Sequence, residues 1–408
     1  MQNLKIALLF VLLPLLLNAQ QTAAEFTQSI ESTFQNAGIP GLAVSIVSKD
    51  SILYEHAMGY ADVATQRAYA HNSVLNIGSI SKTLIGVALL QLSEAGRIDL
   101  DIDINEYLPF SVSNPHYPER PITLRQLATH TSSIRDRSWN YDMRAYVSDD
   151  DQKGNRKGLP LLTRIQFKRM LKNKHLPLGE FLEKTLSAEG LFYSKKNYYK
   201  IPAGTEAHYS NIGAALAAFV VERVSGTPYR QYVAQNILNP LGMTSAGWHF
   251  TDFDENVVAT RYIHQVAIPD YELITYPDGG LVCSTADLAR YLMAMMRGYY
   301  GQSEFLPASA FQQLMSNQLE SSILAETMSE TEERSGIFWD LYGKEKTSEI
   351  GHSGGDPGIL TLMYFDPQNG LGCVLTTNCS GDDTQGAVVK IWQDMVRYRD
   401  SLAPKHDN

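Results

Sequence analysis

The sequence predicts an α+β fold: an antiparallel sheet built from strands near both ends of the chain, flanked by helices, with a helix-rich region inserted between them. Three observations carry this. Two β-rich runs at 41–47 and 52–58 are joined by the turn-prone Ser48-Lys-Asp-Ser51, which makes a hairpin. Two more at 358–365 and 370–377 are joined by Asp366-Pro-Gln-Asn369, and a short run at Glu349-Ile350 precedes them. Between the hairpins, residues 124–128, 179–186, 213–224 and 229–238 have the apolar spacing of short packed helices, Pro240-Leu-Gly242 ending the last.

The elements follow in order. Lys5, the apolar run 6–17 and Asn18-Ala19-Gln20 make a secretory signal over residues 1–19. The run is too short to cross a bilayer as an ordinary helix, and small Ala19 suits cleavage before Gln20. The mature chain is therefore expected in a periplasm or outside the cell, with no stable membrane span. Residues 26–37 form a helix with Phe26, Ile30 and Phe34 on one face, stopped by Gly38. Residues 80–95 have few polar positions and end at Gly96, as a buried helix would, and Ser79 stands at its start. A last helix over 384–398 carries Val388, Ile391, Trp392 and Val396 on one stripe. No repeat or Pro-Gly linker divides the chain, so residues 20–405 read as one unit with its helix-rich insertion at roughly 106–257.

At 408 residues and 44% hydrophobic, the chain can bury a large core. A net charge of -10 offers nucleic acid no basic face on which phosphates could be neutralised. One stretch runs against this balance. From 153 to 174, Arg156, Lys157, Arg164, Lys168, Arg169 and Lys172 follow the acidic Asp149-Asp-Asp151, as a solvated surface insertion or a substrate-facing loop. Cys283, Cys373 and Cys379 are too few for a disulfide framework. An extended 373–378 separates the last two by about 20 Å, beyond the reach of a bridge, so buried thiols are expected.

Three short motifs carry chemistry. Ser79-Ile-Ser-Lys82 puts a hydroxyl and an ammonium on one face of a first helical turn, where a lysine of lowered pKa takes the serine proton. Tyr209-Ser-Asn211 offers a phenol that relays protons and an amide that meets both a substrate carbonyl and Lys82. His352-Ser-Gly-Gly355 lies in the C-terminal strand region, where glycines let a substrate backbone approach the strand edge. Its Gly355 N–H, with that of Ser79, forms an oxyanion hole. Alone, each reads as well as a capping serine, a helix cap or a Gly-rich turn.

In this order, however, Ser-x-x-Lys, Tyr-x-Asn and a His/Lys-Ser/Thr-Gly triplet resemble the serine β-lactamase and penicillin-binding enzyme superfamily, in the branch of class C β-lactamases, D-alanyl-D-alanine carboxypeptidases and family VIII esterases. The resemblance covers nearly the whole mature chain. It includes the stretches 124–133, 209–215, Pro240-Leu-Gly-Met243, Gly279-Gly-Leu281 and 351–358. It implies Ser79 as the acylated nucleophile, Lys82 as its proton partner and Tyr209 as the shuttle to the leaving group. Asn211, His352, Ser353, Gly354 and Gly355 bind substrate or the oxyanion, while Thr129-His130-Thr131 and Gly279-Gly280 support the cleft.

Two departures stand out. His352 occupies a position where class C β-lactamases typically present lysine, a permanent cation that holds a substrate carboxylate; histidine at neutral pH is only partly charged. Ester or D-amino-acid peptide substrates are thus favoured over efficient β-lactam hydrolysis. Ser133-Ile134 replaces a frequent Gly-Leu. The expected function is an exported serine hydrolase acting through a Ser79 acyl-enzyme on small or peptide-like substrates. The alternative is a non-hydrolytic penicillin-binding or sensing protein that keeps the cleft. No cofactor is expected, and no metal: there is no His-Glu-x-x-His and the ten histidines lack ligand spacing.

Overall fold

A computed structural model describes residues 21–138, 141–149, 157–303, 305–319, 334–343 and 349–403; the leading segment 1–19 and part of the basic stretch lie outside the described residues. The main sheet has eight strands: β1 (Gly41–Ser48), β2 (Ile52–Asp62), β3 (Arg67–Ala68), β4 (Arg334–Ser335), β5 (Asp340–Tyr342), β6 (Glu349–Asp356), β7 (Ile359–Asp366) and β8 (Leu371–Thr377), in the order β4-β5-β6-β7-β8-β1-β2-β3. Every pairing within it is antiparallel. The two ends of the chain meet at β1 and β8, with Val44 opposite Leu375 and Ile46 opposite Cys373. Both predicted hairpins are present. The first is longer than expected because β2 runs on to Asp62, and the second gains β6, which continues through His352 to Asp356.

The sheet is covered on both faces, which explains its strands' nearly continuous apolar runs. On one side lie α1 (Ala23–Gln35) and the C-terminal α10 (Asp382–Ser401); Phe26, Ile30, Trp392 and Met395 pack there with Leu42, Ile46, Leu362 and Leu375. A capping box starts α1: Glu25 N donates to the Thr22 hydroxyl and Thr22 N to the Glu25 carboxylate. Arg399 of α10 reaches the buried Glu349 at the start of β6 with both terminal nitrogens, at 2.9 and 2.6 Å. On the other side sit α2 (Ser81–Glu94) and α8 (Thr285–Tyr299), sharing a core with Val47, Met363, Phe365 and Val374.

The intervening chain forms α3 (Leu124–Ala128), α4 (Leu161–Met170), α5 (Leu178–Leu186), α6 (Asn211–Ser225) and α7 (Tyr229–Val233), the last unwinding into a wide turn over Ala234–Leu238; α9 (Ala308–Leu314) follows α8. Buried almost all round, α2 is the interior helix its composition implied. It packs α6 against its far side. Cys283, Cys373 and Cys379 are unpaired and buried, as expected. No helix among the described residues is long and apolar enough to cross a membrane.

Candidate active site

Ser79 does not cap a helix. It occupies a single 3-10 turn, Gly78–Ile80, that runs directly into α2 and so aims Ser79 and Lys82 in one direction. Gly78 holds φ of 56°, and a Cβ there would stand 2.9 Å from Gly355 N and 3.0 Å from the Gly354 carbonyl carbon. The turn and β6 therefore lie backbone against backbone, a contact that only glycine permits. On the β6 side a Cβ at Gly354 would come 2.0 Å from Ile77 O, whereas one at Gly355 would meet open space. The Thr361 hydroxyl donates to Ile77 O at 2.7 Å and pins the crossing. This packing brings the Gly355 amide beside the Ser79 turn, at the open edge of the cleft.

Lys82 is fully buried, and its ammonium donates to three oxygens: Ser79 Oγ at 2.9 Å, Asn211 Oδ1 at 2.7 Å and Asp278 O at 2.5 Å. Burial pulls its pKa down to about 8, against the opposing pull of Asp278, Asp136, Asp356 and Asp340. A substantial fraction is neutral near physiological pH, which a base requires. The Tyr209 ring centroid lies 5.0 Å from Nζ. Burial pushes the phenol well above its ordinary value while the neighbouring Ser79 hydroxyl works the other way, so Tyr209 stays protonated as a donor. An alcohol, an amine and a phenol from distant stretches thus meet at one point.

The supports of this cluster include residues the local sequence pattern did not disclose. Ser210 caps α6 by accepting from Gly213 N at 2.9 Å, and the helix begins at Asn211, two residues earlier than predicted. Asp136, half-buried, accepts from Asn211 N at 2.5 Å, Ile212 N at 3.1 Å and the Ser210 hydroxyl at 2.9 Å. It anchors the positive end of α6 and fixes Asn211 toward Lys82. The His130 ring, φ 58°, lies 4.3 Å from that of Tyr209, and its Nδ1 accepts from Ser210 N. Ser133 adopts φ of 62°, the left-handed conformation that explains why glycine is frequent there.

Two further carboxylates flank the site. Asp278 accepts from the Tyr141 phenol at 2.8 Å, and burial lifts its pKa to about 7 although Lys82 opposes the rise. Asp356, lifted by burial to about 6, accepts from Tyr146 at 2.7 Å and Asn76 at 3.1 Å. His352 is buried with Nδ1 donating to Ser353 O at 2.6 Å, and burial depresses its pKa. Burial thus favours the neutral imidazole over the cation. Ser353 follows on the opposite pleat of β6, where its hydroxyl acts on the Tyr364 phenol. Among the described residues no group of three or more His, Cys, Asp or Glu has the arrangement of a metal site.

A family model described as Beta-lactamase matches residues 22–393. The chain is 27% identical over 323 residues to the mitochondrial serine beta-lactamase-like protein LACTB of Homo sapiens, covering 67% of this chain and 58% of that protein. It is 27% identical over 289 residues to the putative penicillin-binding protein PbpX of Bacillus subtilis (strain 168), covering 68% and 60%. The chain thus spans less than two thirds of the length of these relatives. Among solved structures, a penicillin-binding protein homologue from Pyrococcus abyssi, described as octameric, superimposes with a TM-score of 0.69 at 21% identity, over 92% of this chain and 78% of that one. The D-amino acid amidase from Ochrobactrum anthropi SV3, complexed with D-phenylalanine, gives 0.69 at 18% identity, over 92% and 99%. At these identities the two structures share the fold.

Proposed function

We propose, from the premise that this chain belongs to the Beta-lactamase family, that it is a serine hydrolase working through an acyl-enzyme on Ser79. The observation that carries this is the 2.9 Å hydrogen bond between the Ser79 hydroxyl and a fully buried Lys82. In its neutral form Lys82 takes the Ser79 proton as the oxygen attacks a substrate carbonyl. The Ser79 and Gly355 amides receive the developing oxyanion. Tyr209 gives its proton to the leaving group and recovers one from Lys82, and Asn211 orients both the substrate and Lys82. His352 and the backbone of Ser353 and Gly354 form the wall along which substrate lies. On the same reading residues 20–405 are one catalytic unit with an insertion at roughly 106–257, exported after loss of residues 1–19.

The neutral His352 bears on substrate choice. A wall without a fixed cation gives a substrate carboxylate no strong partner, so small esters and amides rank first, D-amino-acid peptides second and β-lactams third. A fluorophosphonate or fluorescent penicillin should label the protein, and Ser79→Ala should abolish labelling. Undiminished labelling of that variant would remove the assignment. Turnover of p-nitrophenyl esters, a D-Ala-D-Ala peptide and a chromogenic cephalosporin then orders the substrate classes.

A further inference from the structure

Among the described residues, one helix carries a group of strongly exposed apolar side chains. The three most exposed large apolar side chains are Leu191 at 79%, Leu162 at 72% and Leu161 at 69%, with Ile165 at 46% beside the last two. Leu161, Leu162 and Ile165 stand on the outer side of α4, whose inner side buries Phe167 and Met170. Isolated exposed leucines are ordinary, but a group of them is not.

The flank around α4 is basic in a chain of net charge -10. Lys157, Arg164, Lys168, Arg169, Lys172 and Lys174 are all exposed there, and residues 157–179 contain no Asp or Glu. The nearby Asp149 carboxylate is 3.1 Å from His175. We propose that this flank docks on a bilayer containing anionic phospholipid, its leucines entering the acyl boundary while the surrounding Lys and Arg meet the headgroups. The charge pattern selects a polyanionic partner. The leucines select lipid among polyanions, because a soluble acidic polymer would use the charges and leave the leucines in water.

Docking would also hold the cleft next to the bilayer. Asn173 Nδ2, just past α4, donates to Met143 O and Tyr146 O at 2.9 and 2.8 Å, and the Tyr146 phenol donates to Asp356 in the cleft wall. Patch and cleft thus share one supporting segment.

The test is co-sedimentation of the chain beginning at Gln20, free of the apolar run 6–17, with vesicles of phosphatidylcholine alone or with about a third phosphatidylglycerol. Wild type should pellet with the anionic vesicles and not with the neutral ones. Leu161→Ser/Leu162→Ser should bind at least about tenfold more weakly, with an unchanged unfolding temperature. Lys168→Glu/Arg169→Glu should weaken binding as well. Equal binding to both vesicle types, or none, overturns the proposal. So does a leucine variant that binds like wild type while the charge variant does not, since the partner would then be a polyanion without an acyl phase.

Discussion

Replacing Asp278 by Asn tests how the cleft sets the base. The Asp278 carbonyl oxygen accepts from Lys82 Nζ at 2.5 Å, and the charge on the carboxylate of the same residue holds the Lys82 pKa up. For a separation on the order of 6 Å and an effective dielectric of about 20, opposite unit charges attract by roughly 2.8 kcal/mol, or about two pKa units on Lys82. Asp278 itself titrates at about 7 and is only partly ionised at neutrality, so the expected displacement is about one to two units. The sign follows from the chemistry. Lys82, held at about 8 by burial against the carboxylates, serves as base only when neutral, so acylation should rise with pH through that value in wild type. In Asp278→Asn the rise should move to lower pH, while the amide oxygen still accepts from Tyr141. Stopped-flow acylation by a fluorescent penicillin or an activated ester across pH 5–10 reads the shift. An unmoved or raised limb would refute Lys82 as the titrating base. Tyr209, held well above its ordinary value by burial, supplies no limb in this range.

Other outcomes follow from the same contacts. Gly78→Ala, whose Cβ would meet Gly355 N at 2.9 Å, should push β6 off the Ser79 turn and lower kcat/KM by at least roughly a hundredfold, measured by ester turnover. Glu349→Gln removes the buried one of the two carboxylates on Arg399, leaving Asp400, and should cost about 2 kcal/mol in urea unfolding. His352→Lys should raise turnover of a carboxylate-bearing cephalosporin relative to a neutral ester by about tenfold, read as a ratio of kcat/KM values. Because the folded pKa of His352 is depressed, stability should be full above the unfolded value of about 6.5 and decline as pH falls below it; His352→Gln should flatten that slope in thermal melts.

Local patterns disclosed the two hairpins, the buried α2 and the terminal helices, because strand alternation, turn residues and helix breakers act over a few positions. That Ser79, Lys82, Tyr209 and Asn211 gather in one cluster was legible for another reason: spacing alone puts Ser79 and Lys82 on one face, and motif order pointed to the rest. What stayed hidden depends on distant partners. The early start of α6 comes from Asp136, some 75 residues upstream, tying down its first amides. Asp278 and Asp356 look like loop aspartates until Tyr141 and Tyr146 are seen on them. The short β4 and β5 have too few residues for a pattern. By contrast α8 had a readable signal, Ser284 three residues before Asp287 and then a stripe of Leu288, Tyr291, Leu292 and Met295.

The glycine crossing between the Ser79 turn and β6 joins segments some 275 residues apart, and the stretch of β6 at the crossing, Gly354 and Gly355, pairs with Thr361 and Leu360 of β7, made later still. A chain made only as far as residue 348 holds Ser79 and Lys82 but lacks the Gly355 amide, so on the proposed mechanism turnover waits for β6 and β7 to be made and docked. Recovery of turnover during refolding should trail the burial of α2, a delay that reports on closure between the two chain ends.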